Sequence, residues 1–157
     1  KKEYKVHTNC IRPFNVYGPG MKKNDYRVLP NFAQQIKKGQ KLNIYGSGKQ
    51  TRTYCYIVDA IIGFFKVFVK GKSGEIYNIG NNKPEISVLD LTKIICEIFK
   101  GDKIKYSLIK YPSSYPSDEP QRRCPDLSKA RKDLNYHPII NIKEGLEKYL
   151  NWSKINY

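Results

Sequence analysis

In Arg12-Pro13-Phe14-Asn15-Val16-Tyr17-Gly18-Pro19-Gly20, a strand-like run ends in a polar, glycine-rich turn, and this ending decides the fold of the chain. The apolar residues of segment 6–11 (Val6, Cys10 and Ile11) fit a buried strand. Pro19 lacks a backbone N–H and Gly20 permits turn geometry, so the strand cannot continue through them. Asn15 therefore stands at a strand end, where open α/β sheets bind their ligands. By itself the same pattern also fits an ordinary structural turn.

The length and composition of the chain indicate one domain with a real core. It has 157 residues, of which 39% are hydrophobic and 13% aromatic. Residues 57–69 form the longest apolar stretch, which is interrupted by Asp59, Gly63 and Lys66 and falls short of the roughly 18 residues that span a membrane. The sequence shows no signal peptide. Because the chain begins with Lys rather than Met, we expect it to be a piece of a longer protein.

Four cysteines bear on metal binding and on location. Cys10, Cys55, Cys96 and Cys124 are widely spaced and form no Cys-x-x-Cys pair, which argues against a zinc site and against a disulfide framework. We therefore predict no metal site and expect buried free thiols. Free thiols are typical of a reducing compartment, so we predict a cytoplasmic location.

The net charge of +15 raises the question of an anionic partner. Nucleic-acid binding is one interpretation, because basic proteins gain affinity by neutralising phosphates. The lysines are spread along the whole chain rather than clustered in a stripe, which disfavours that interpretation. An anionic nucleotide-type ligand needs only a few well-placed cations, and the composition is compatible with one.

The hydrophobic pattern alternates strands and helices and predicts an α/β fold. The predicted strands are residues 4–17, 42–45, 51–57, 75–79 and 103–109. The predicted helices run from Pro30 to Gly39, from Asp59 to Gly71, and over residues 88–99, 127–134 and 142–155. We expect Asp59, Ser87 and Asp126 to cap helix N-termini, and residues 111–121 to form a Pro/Ser-rich loop.

Two arginine-containing segments are candidates for binding a diphosphate. Arg52 starts a predicted strand just after the turn Gly46-Ser47-Gly48, and Arg123 follows Arg122 in a proline-bounded loop. A planar guanidinium can donate two parallel hydrogen bonds to a phosphate group. Adjacent arginines point in different directions, so we expect only one of the pair to reach a ligand. The alternative is that both segments are solvated surface.

The sequence offers no catalytic residue. Residues 45–49 and 106–110 both match Tyr-x-x-x-Lys, a spacing that serves catalysis when both residues share one helix face. The first match lies in a glycine turn and the second in an alternating strand, so we interpret both as chance. No Gly-x-Gly-x-x-Gly occurs, and no Ser-His-Asp set or carboxylate pair can be argued.

In their order along the chain, five motifs carry a resemblance that covers nearly all of it. They are residues 12–19 (Arg-Pro-Phe-Asn-Val-Tyr-Gly-Pro), 24–32 (Asn-Asp-Tyr-Arg-Val-Leu-Pro-Asn-Phe), 45–59, 77–80 (Tyr-Asn-Ile-Gly) and 118–126 (Asp-Glu-Pro-Gln-Arg-Arg-Cys-Pro-Asp). The chain resembles the C-terminal half of the extended short-chain dehydrogenases/reductases, the NAD-dependent epimerase/dehydratase family, that act on nucleotide sugars. Segments 24–27 and 121–126 look most similar to UDP-glucuronate decarboxylases. The dTDP-glucose 4,6-dehydratases and the 4-epimerases are close seconds.

The resemblance implies a reaction. In the family, NAD oxidises the sugar at its 4-position; in the decarboxylases the ketone lets the carboxylate leave as carbon dioxide, and NADH reduces the product to UDP-xylose.

The resemblance also implies contacts for ten residues. The residues implied to contact the nucleotide sugar are Asn15, Leu29, Asn31, Phe32, Tyr45, Arg52, Asn78 and Arg123, with Leu29, Asn31 and Phe32 acting through the backbone around them. Arg52 and Arg123 would bind the diphosphate, and Tyr45 would border the base. Val16 and Arg27 are implied to lie near NAD.

The resemblance also shows what the sequence lacks. The family's glycine-rich loop and its helical Tyr-x-x-x-Lys lie upstream of the matched region, so residues 1–157 resemble a single substrate-binding region without the redox machinery. The strand 4–17 would belong to the Rossmann sheet of the other half. We therefore expect little or no activity and doubtful NAD binding from this chain alone. An inactive nucleotide-sugar-binding module is the alternative, and the family's usual homodimer is an expectation that the sequence cannot fix.

Overall fold

A computed structural model describes residues 4, 6–99, 104–113 and 120–157. Within them lie nine strands and five helices. The strands are β1 (Cys10–Pro13), β2 (Val16–Tyr17), β3 (Leu42–Tyr45), β4 (Thr51–Arg52), β5 (Cys55–Tyr56), β6 (Ile76–Ile79), β7 (Ile86–Ser87), β8 (Tyr106–Ile109) and β9 (Arg122–Arg123). The helices are α1 (Val28–Lys37), α2 (Ile57–Lys70), α3 (Val88–Ile98), α4 (Ser128–Leu134) and α5 (Ile142–Asn156).

The first layer of the fold is a parallel pair of strands covered by two helices. β1 pairs with β6, with Cys10 opposite Ile76 and Pro13 opposite Ile79. Helices α2 and α4 both pack on β6, and their shared core is apolar. Its buried members are Val67, Tyr77, Ile79, Leu127, Ala130, Leu134 and Tyr136. Gly63 lets α2 approach the sheet, because a Cβ there would meet the side chain of Ile79.

A second and larger core lies among α1, α3 and α5 and the parallel pair β3–β8. Its helices bury leucine, isoleucine and phenylalanine side chains at helical spacing, as the sequence pattern predicts. Tyr17 enters this core from β2, with edge-on ring contacts to Tyr54, Tyr56 and Tyr149 at centroid distances of 5.7–6.2 Å. Tyr17, which follows Asn15 and Val16 in the sequence, is thus anchored in the interior.

The two cores are joined by short strand pairs. β2 pairs with β5 in parallel, and β4 lies between β7 and β9 in a three-stranded sheet. β4 is antiparallel to β7 and parallel to β9. The end of the predicted site strand and both arginine segments therefore meet in the same region of the molecule.

The predicted single strand 4–17 is wrong in extent. Asn15 adopts a left-handed backbone with φ of 43°, and this break separates β1 from β2, which pair in different sheets. Val6 and Cys10 are exposed rather than buried, because β1 is covered on only one face in the described part of the chain. Gly20 has φ of 92°, which confirms the predicted turn.

The predicted strand 51–57 is also interrupted. β4 and β5 belong to different sheets, with Thr53 and Tyr54 between them. The helix that follows begins at Ile57, so the prediction that Asp59 caps it is wrong. Asp59 is buried, and its carboxylate accepts hydrogen bonds from the backbone N–H groups of Ile139 (3.1 Å) and Ile140 (2.9 Å). Its partners lie about 80 residues away in sequence, beyond the reach of a local capping argument.

The remaining predictions of secondary structure agree closely with the structure. Ser87 caps α3, since its Oγ accepts a hydrogen bond from the Asp90 N–H at 3.0 Å. The prediction that Asp126 caps α4 is wrong by one residue, because Leu127 occupies the N-cap position. The Asp126 carboxylate still accepts a hydrogen bond from the N–H of Ser128, two residues later, at 2.8 Å. Residue 103 of the predicted strand 103–109 and residues 114–119 of the predicted loop 111–121 lie outside the described residues.

The cysteines are all free, but only Cys55 is fully buried. Cys10 is exposed and Cys96 and Cys124 are half-buried, so the expectation of buried thiols is wrong for Cys10. In the described residues, no helix combines the length and the apolar character needed to cross a membrane.

Candidate nucleotide-sugar site

Asn15 connects the predicted strand end to the segment between β4 and β5. Its Nδ2 donates to the carbonyl of Thr53 at 2.8 Å, and its own carbonyl accepts from the N–H of Cys55 at 3.2 Å. An asparagine tolerates the left-handed backbone found here better than most residues, because its short side chain can bond locally. The residue that the sequence places at a ligand site therefore also fixes the path of the chain next to Arg52.

Arg52 and Arg123 are partners on neighbouring parallel strands. In the register of β4 and β9, Arg52 lies opposite Arg123. Residues opposite each other in adjacent strands, about 4.8 Å apart, project their side chains to the same face of the sheet. The structure thus makes two arginines that are 71 positions apart in the sequence partners on neighbouring strands.

Backbone carbonyls hold the Arg52 guanidinium in place. Arg52 is only 8% exposed, and its Nη1 donates to the carbonyls of Thr51 (2.8 Å) and Gln121 (3.2 Å). Its Nη2 donates to the carbonyl of Pro120 at 2.6 Å. These backbone contacts hold the nearly buried guanidinium in one position.

Arg122 points away from this pair, as expected for adjacent residues of a strand. Its guanidinium makes a two-point contact with the Glu85 carboxylate, with N–O distances between 2.7 and 3.1 Å. Glu85 also accepts from the hydroxyl of Thr51 at 2.5 Å. These hydrogen bonds hold the pKa of Glu85 below its usual value. Arg122 is therefore a surface ion-pair residue, and Arg123, the strand partner of Arg52, stays the predicted ligand contact.

Asn78 is tied to the same loop. Its Nδ2 donates to the carbonyl of Asp126 at 3.0 Å, which connects β6 to the chain just after Arg123. The N–H of Thr53 in turn bonds to the carbonyl of Arg123 at 3.3 Å. Hydrogen bonds therefore link the segments that carry Asn15, Arg52, Asn78 and Arg123 into one connected network.

Arg27 and Val16 meet at the other side of Asn15. Arg27 Nη1 donates to the carbonyl of Val16 at 3.3 Å, and the same guanidinium bonds to both carboxylate oxygens of Asp25. The Arg27 side chain holds the pKa of Asp25 below its usual value, and Asp25 raises the pKa of Arg27. The charge of the Arg27 guanidinium beside β2 is therefore neutralised by Asp25.

The three predicted residues of α1 use their side chains for structure. Leu29 and Phe32 are buried in the larger core. Asn31 Nδ2 donates to the carbonyls of Tyr26 (2.8 Å) and Arg27 (3.0 Å) and so holds the loop before the helix. A ligand would reach this segment through its backbone, which is how the resemblance assigns it.

Tyr45 forms one wall beside the glycine turn. Its ring stacks on that of Tyr111 with a centroid distance of 5.8 Å and an angle of 24°. Gly46 has φ of 65°, and a Cβ there would collide with the Tyr111 ring, so glycine is required at this position. One face of Tyr45 is thus covered by Tyr111, a residue that the sequence analysis placed only in a loop.

Sequence reasoning missed two buried hydroxyl groups at the site. Among the described residues, Thr53 Oγ1 and the Tyr54 hydroxyl are buried without a hydrogen-bond partner. They lie directly after Arg52, between β4 and β5. An unsatisfied buried hydroxyl is costly, so each such group needs a structural or functional explanation. The only sequence signal for these two hydroxyl groups was their position between Arg52 and the start of α2.

Known proteins similar to this chain identify its family. The model of the NAD dependent epimerase/dehydratase family matches residues 1–80. The chain belongs to this family. UDP-glucuronic acid decarboxylase 1 of Xenopus tropicalis is 34% identical over 152 residues, which are 96% of this chain and 34% of that protein. The dTDP-D-glucose 4,6-dehydratase of Homo sapiens is 34% identical over 158 residues, covering 99% of this chain and 44% of that protein.

Solved structures of the epimerase/dehydratase family share the fold. The epimerase Mth375 of Methanothermobacter thermautotrophicus superimposes with a TM-score of 0.88 at 30% identity, over 99% of this chain and 45% of that chain. The UDP-glucuronic acid 4-epimerase from Bacillus cereus, in complex with UDP-glucuronic acid and NAD, superimposes with a TM-score of 0.86 at 31% identity. The match covers 99% of this chain and 48% of that chain. These matches confirm the α/β class and the extended short-chain dehydrogenase/reductase fold. The chain spans less than half the length of these relatives.

Val16 and Arg27, the two residues that the resemblance places near NAD, are in contact beside β2, and the Arg27 guanidinium is also bonded to Asp25. Neither Tyr-x-x-x-Lys match is helical: residues 45–49 run from β3 into a turn, and residues 106–110 begin with β8. Within the described ranges, no group of three or more His, Cys, Asp or Glu side chains is arranged to hold a metal ion.

Proposed function

We propose that this chain is the substrate-binding half of a nucleotide-sugar-modifying enzyme, most like a UDP-glucuronate decarboxylase. The observation that carries the proposal is the in-register pair of Arg52 and Arg123 on β4 and β9. The relatives support the class of enzyme, since they include UDP-glucuronic acid decarboxylases and a dTDP-D-glucose 4,6-dehydratase.

The arginine pair suits a diphosphate for electrostatic reasons. A guanidinium attracts an anion and offers it several N–H donors in a planar fork. A diphosphate carries two negative groups with several acceptor oxygens, so each guanidinium can make a charge-assisted bond to it. The hydroxyls of Thr53 and Tyr54 lie beside the pair and lack partners among the described residues.

The other predicted residues would frame the nucleotide and the sugar. The amides of Asn15 and Asn78 border the arginine pair through their bonds to Thr53 and Asp126. The backbone around Leu29, Asn31 and Phe32 would face the sugar, and the ring of Tyr45 would border the base. Because the sequence lacks the family's glycine-rich loop and helical Tyr-x-x-x-Lys, we assign this chain the task of binding and orienting the nucleotide sugar.

Calorimetric titration of the purified chain tests this proposal. We expect UDP-glucuronate and UDP to bind with similar affinity and uridine to bind far more weakly, because the arginine pair contacts the diphosphate. Binding of uridine as tight as that of UDP, or no binding of either nucleotide, would contradict the proposal. A 20-base-pair DNA duplex serves as the comparison for the basic nucleic-acid-binder alternative, and its tighter, strongly salt-dependent binding would favour that alternative.

The choice of nucleotide and the location in the cell are also proposals. We expect UDP-glucuronate to bind more tightly than dTDP-glucose, following the UDP-glucuronic acid decarboxylases among the relatives. Tighter binding of dTDP-glucose would favour a dehydratase instead. The four unpaired cysteines suit a reducing compartment, which supports a cytoplasmic location.

A further inference from the structure

A cleft of about 610 Å³ lies between the loop after β6, helix α4 and the segment before α5. Its walls come from residues 81–84, from Arg131 and from residues 137–141. Sites for small molecules measure roughly 300–1,000 Å³, so this cleft is large enough to hold one. The described residues that line it include none of the ten predicted contacts to the nucleotide sugar or NAD. We call it the α4 cleft.

Three basic side chains from separate segments line the α4 cleft: Lys83, Arg131 and His137. Lys83 is exposed and Arg131 is half-buried. The ion pairs among the described residues involve neither Lys83 nor Arg131. These two cations therefore give the cleft a positive potential, to which the net charge of +15 adds.

A hydrogen bond to Asn82 holds Arg131 in position at the cleft. The Nη2 of Arg131 donates to the Oδ1 of Asn82 at 2.7 Å, which connects α4 to the loop after β6. Within the described part of the chain, this is the one hydrogen bond that the guanidinium makes. Because a guanidinium has five N–H donors in a planar fork, further donors remain for a ligand.

The backbone of both flanking segments is fixed as well. The N–H of Lys83 donates to the Oδ1 of Asn81 at 3.1 Å. On the opposite wall, the N–H groups of Ile139 and Ile140 donate to the buried carboxylate of Asp59 at 3.1 and 2.9 Å. A site whose walls are ordered before binding loses less conformational entropy when a ligand enters.

Carboxylates near the α4 cleft are engaged outside it. None of the described lining residues is Asp or Glu. Glu85, which follows the loop, makes its two-point contact with Arg122. Asp126 accepts from the N–H and the hydroxyl of Ser128, and these bonds, with a smaller contribution from the charge of Arg131, hold the pKa of Asp126 below its usual value. An anion inside the cleft would therefore meet cations and no acidic wall.

The rest of the lining suits an organic group rather than a bare ion. Pro84, Pro138, Ile139 and Ile140 supply apolar surface beside the basic residues. Ligand sites typically combine apolar walls with a few polar groups that fix orientation. Inorganic phosphate would occupy only a small part of the space, so the dimensions favour a phosphate group joined to a compact ring.

We propose that the α4 cleft binds a small organic phosphate, such as a sugar phosphate, at a site separate from Arg52 and Arg123. Lys83 and Arg131 contact the phosphate group, and the proline and isoleucine walls pack against the ring. The inference goes beyond the proposed function and does not depend on it, because it uses none of the predicted nucleotide-sugar contacts.

An NMR titration of the ¹⁵N-labelled chain with glucose 6-phosphate tests the site. We expect saturable shifts of the amide signals of residues 81–83, 131, 137 and 139–141, and little change at residues 51–53 and 121–123. Inorganic phosphate should bind at least about tenfold more weakly, because it lacks the ring, and glucose should not bind, because it lacks the charge.

Substitutions of the two cations identify the phosphate contact. We expect Lys83→Gln and Arg131→Gln each to weaken glucose 6-phosphate binding by about tenfold, while circular dichroism and the affinity for UDP stay unchanged. Lys132→Gln is the matched control, because Lys132 is the exposed neighbour of Arg131 on α4 and does not line the cleft. This control should change the affinity less than about twofold. Lys83 is exposed, so its variant provides the test even if Arg131→Gln fails to fold.

Four results would overturn the inference. They are no saturable binding of glucose 6-phosphate, shifts confined to residues 51–53 and 121–123, equal affinity for inorganic phosphate, and an equal loss in Lys132→Gln. Binding of glucose 6-phosphate at the α4 cleft without any binding of UDP would contradict the proposed function and leave this inference standing.

Discussion

Arg52 is positioned before any ligand is bound. Three backbone carbonyls, from Thr51, Pro120 and Gln121, accept hydrogen bonds from its two terminal nitrogens. The geometry uses the planar fork of the guanidinium, which a lysine cannot reproduce. A preformed cation lowers the cost of ordering side chains on binding, so this single residue links the stability of the β4–β9 region to its function.

Replacing Arg52 with Lys should therefore lower both the stability of the chain and its affinity for UDP. One ammonium cannot reach three carbonyls in different directions, so we expect the free energy of unfolding to fall by about 1–3 kcal/mol and UDP affinity to fall about tenfold. Urea denaturation and calorimetry provide the measurements. Arg122→Lys, at an exposed position of the neighbouring strand, should change both by little, and equal effects of the two substitutions would argue against this role for Arg52.

The cysteines provide a second prediction at this scale. Burial raises the pKa of the Cys55 thiol to about 11, whereas Cys10 is exposed. At pH 8 a disulfide reagent should modify Cys10 within minutes and Cys55 only after unfolding, as read by mass spectrometry. Since the unfolded thiol ionises near pH 9, the contribution of Cys55 to stability is present below that pH and is lost as the pH rises to about 11. Fast labelling of Cys55 in the native chain would show that the core around Tyr136 opens readily.

Local sequence patterns predicted the positions of helices and strands well, but they did not predict which strands pair. Helical periodicity and the Ser87 cap located α3, because both signals lie within a few residues. The breaks inside segments 4–17 and 51–57 arise because their halves pair in different sheets, which depends on distant strands. Asp59 shows the same limit, since its partners Ile139 and Ile140 lie beyond any local motif.

The candidate site could also be predicted only where its signals are local in the sequence. Sequence motifs singled out the arginines by residue type and by family resemblance. They could not show that Arg52 and Arg123 are strand partners, because β9 is only two residues long and has no pattern of its own. The stacking of Tyr45 on Tyr111 and the unsatisfied hydroxyls of Thr53 and Tyr54 likewise depend on tertiary packing.

Asp59 ties α2 to the segment before α5, and its removal should destabilise the fold. Asp59→Ala leaves two backbone N–H groups without their acceptor, and we expect the free energy of unfolding to fall by about 2–4 kcal/mol. Asp90→Ala is the matched control, because Asp90 also lies in the first turn of a helix but is exposed. The control should cost less than about 1 kcal/mol in urea denaturation. Equal costs would mean that the helix dipole, not the bonds to Ile139 and Ile140, accounts for the effect.

At the scale of the whole molecule, hydrogen bonds connect the segments that carry the predicted site residues. The bonds around Asn15, Arg52 and Asn78 connect both cores. The relatives that match this chain are more than twice its length. We therefore expect that binding of the nucleotide sugar can be separated from its chemical conversion.

The purified chain should accordingly bind a nucleotide sugar without converting it. We expect no NAD to remain after gel filtration and no release of carbon dioxide from ¹⁴C-labelled UDP-glucuronate. A complete decarboxylase of the family, assayed in parallel, provides the positive control. Sustained turnover by the 157-residue chain would refute its assignment as a substrate-binding half.

The central claim is that Arg123, together with Arg52, binds the diphosphate. The most direct test compares UDP affinity by calorimetry in two neighbouring variants, Arg123→Met and Arg122→Met. Arg122 shares the two-residue strand but pairs with Glu85 at the surface, so it is a matched control. We predict that Arg123→Met weakens UDP binding by about 10- to 100-fold, a loss of one charge-assisted contact, and that Arg122→Met changes it less than about twofold. Equal affinities of the two variants, or a larger loss at Arg122, would contradict the account.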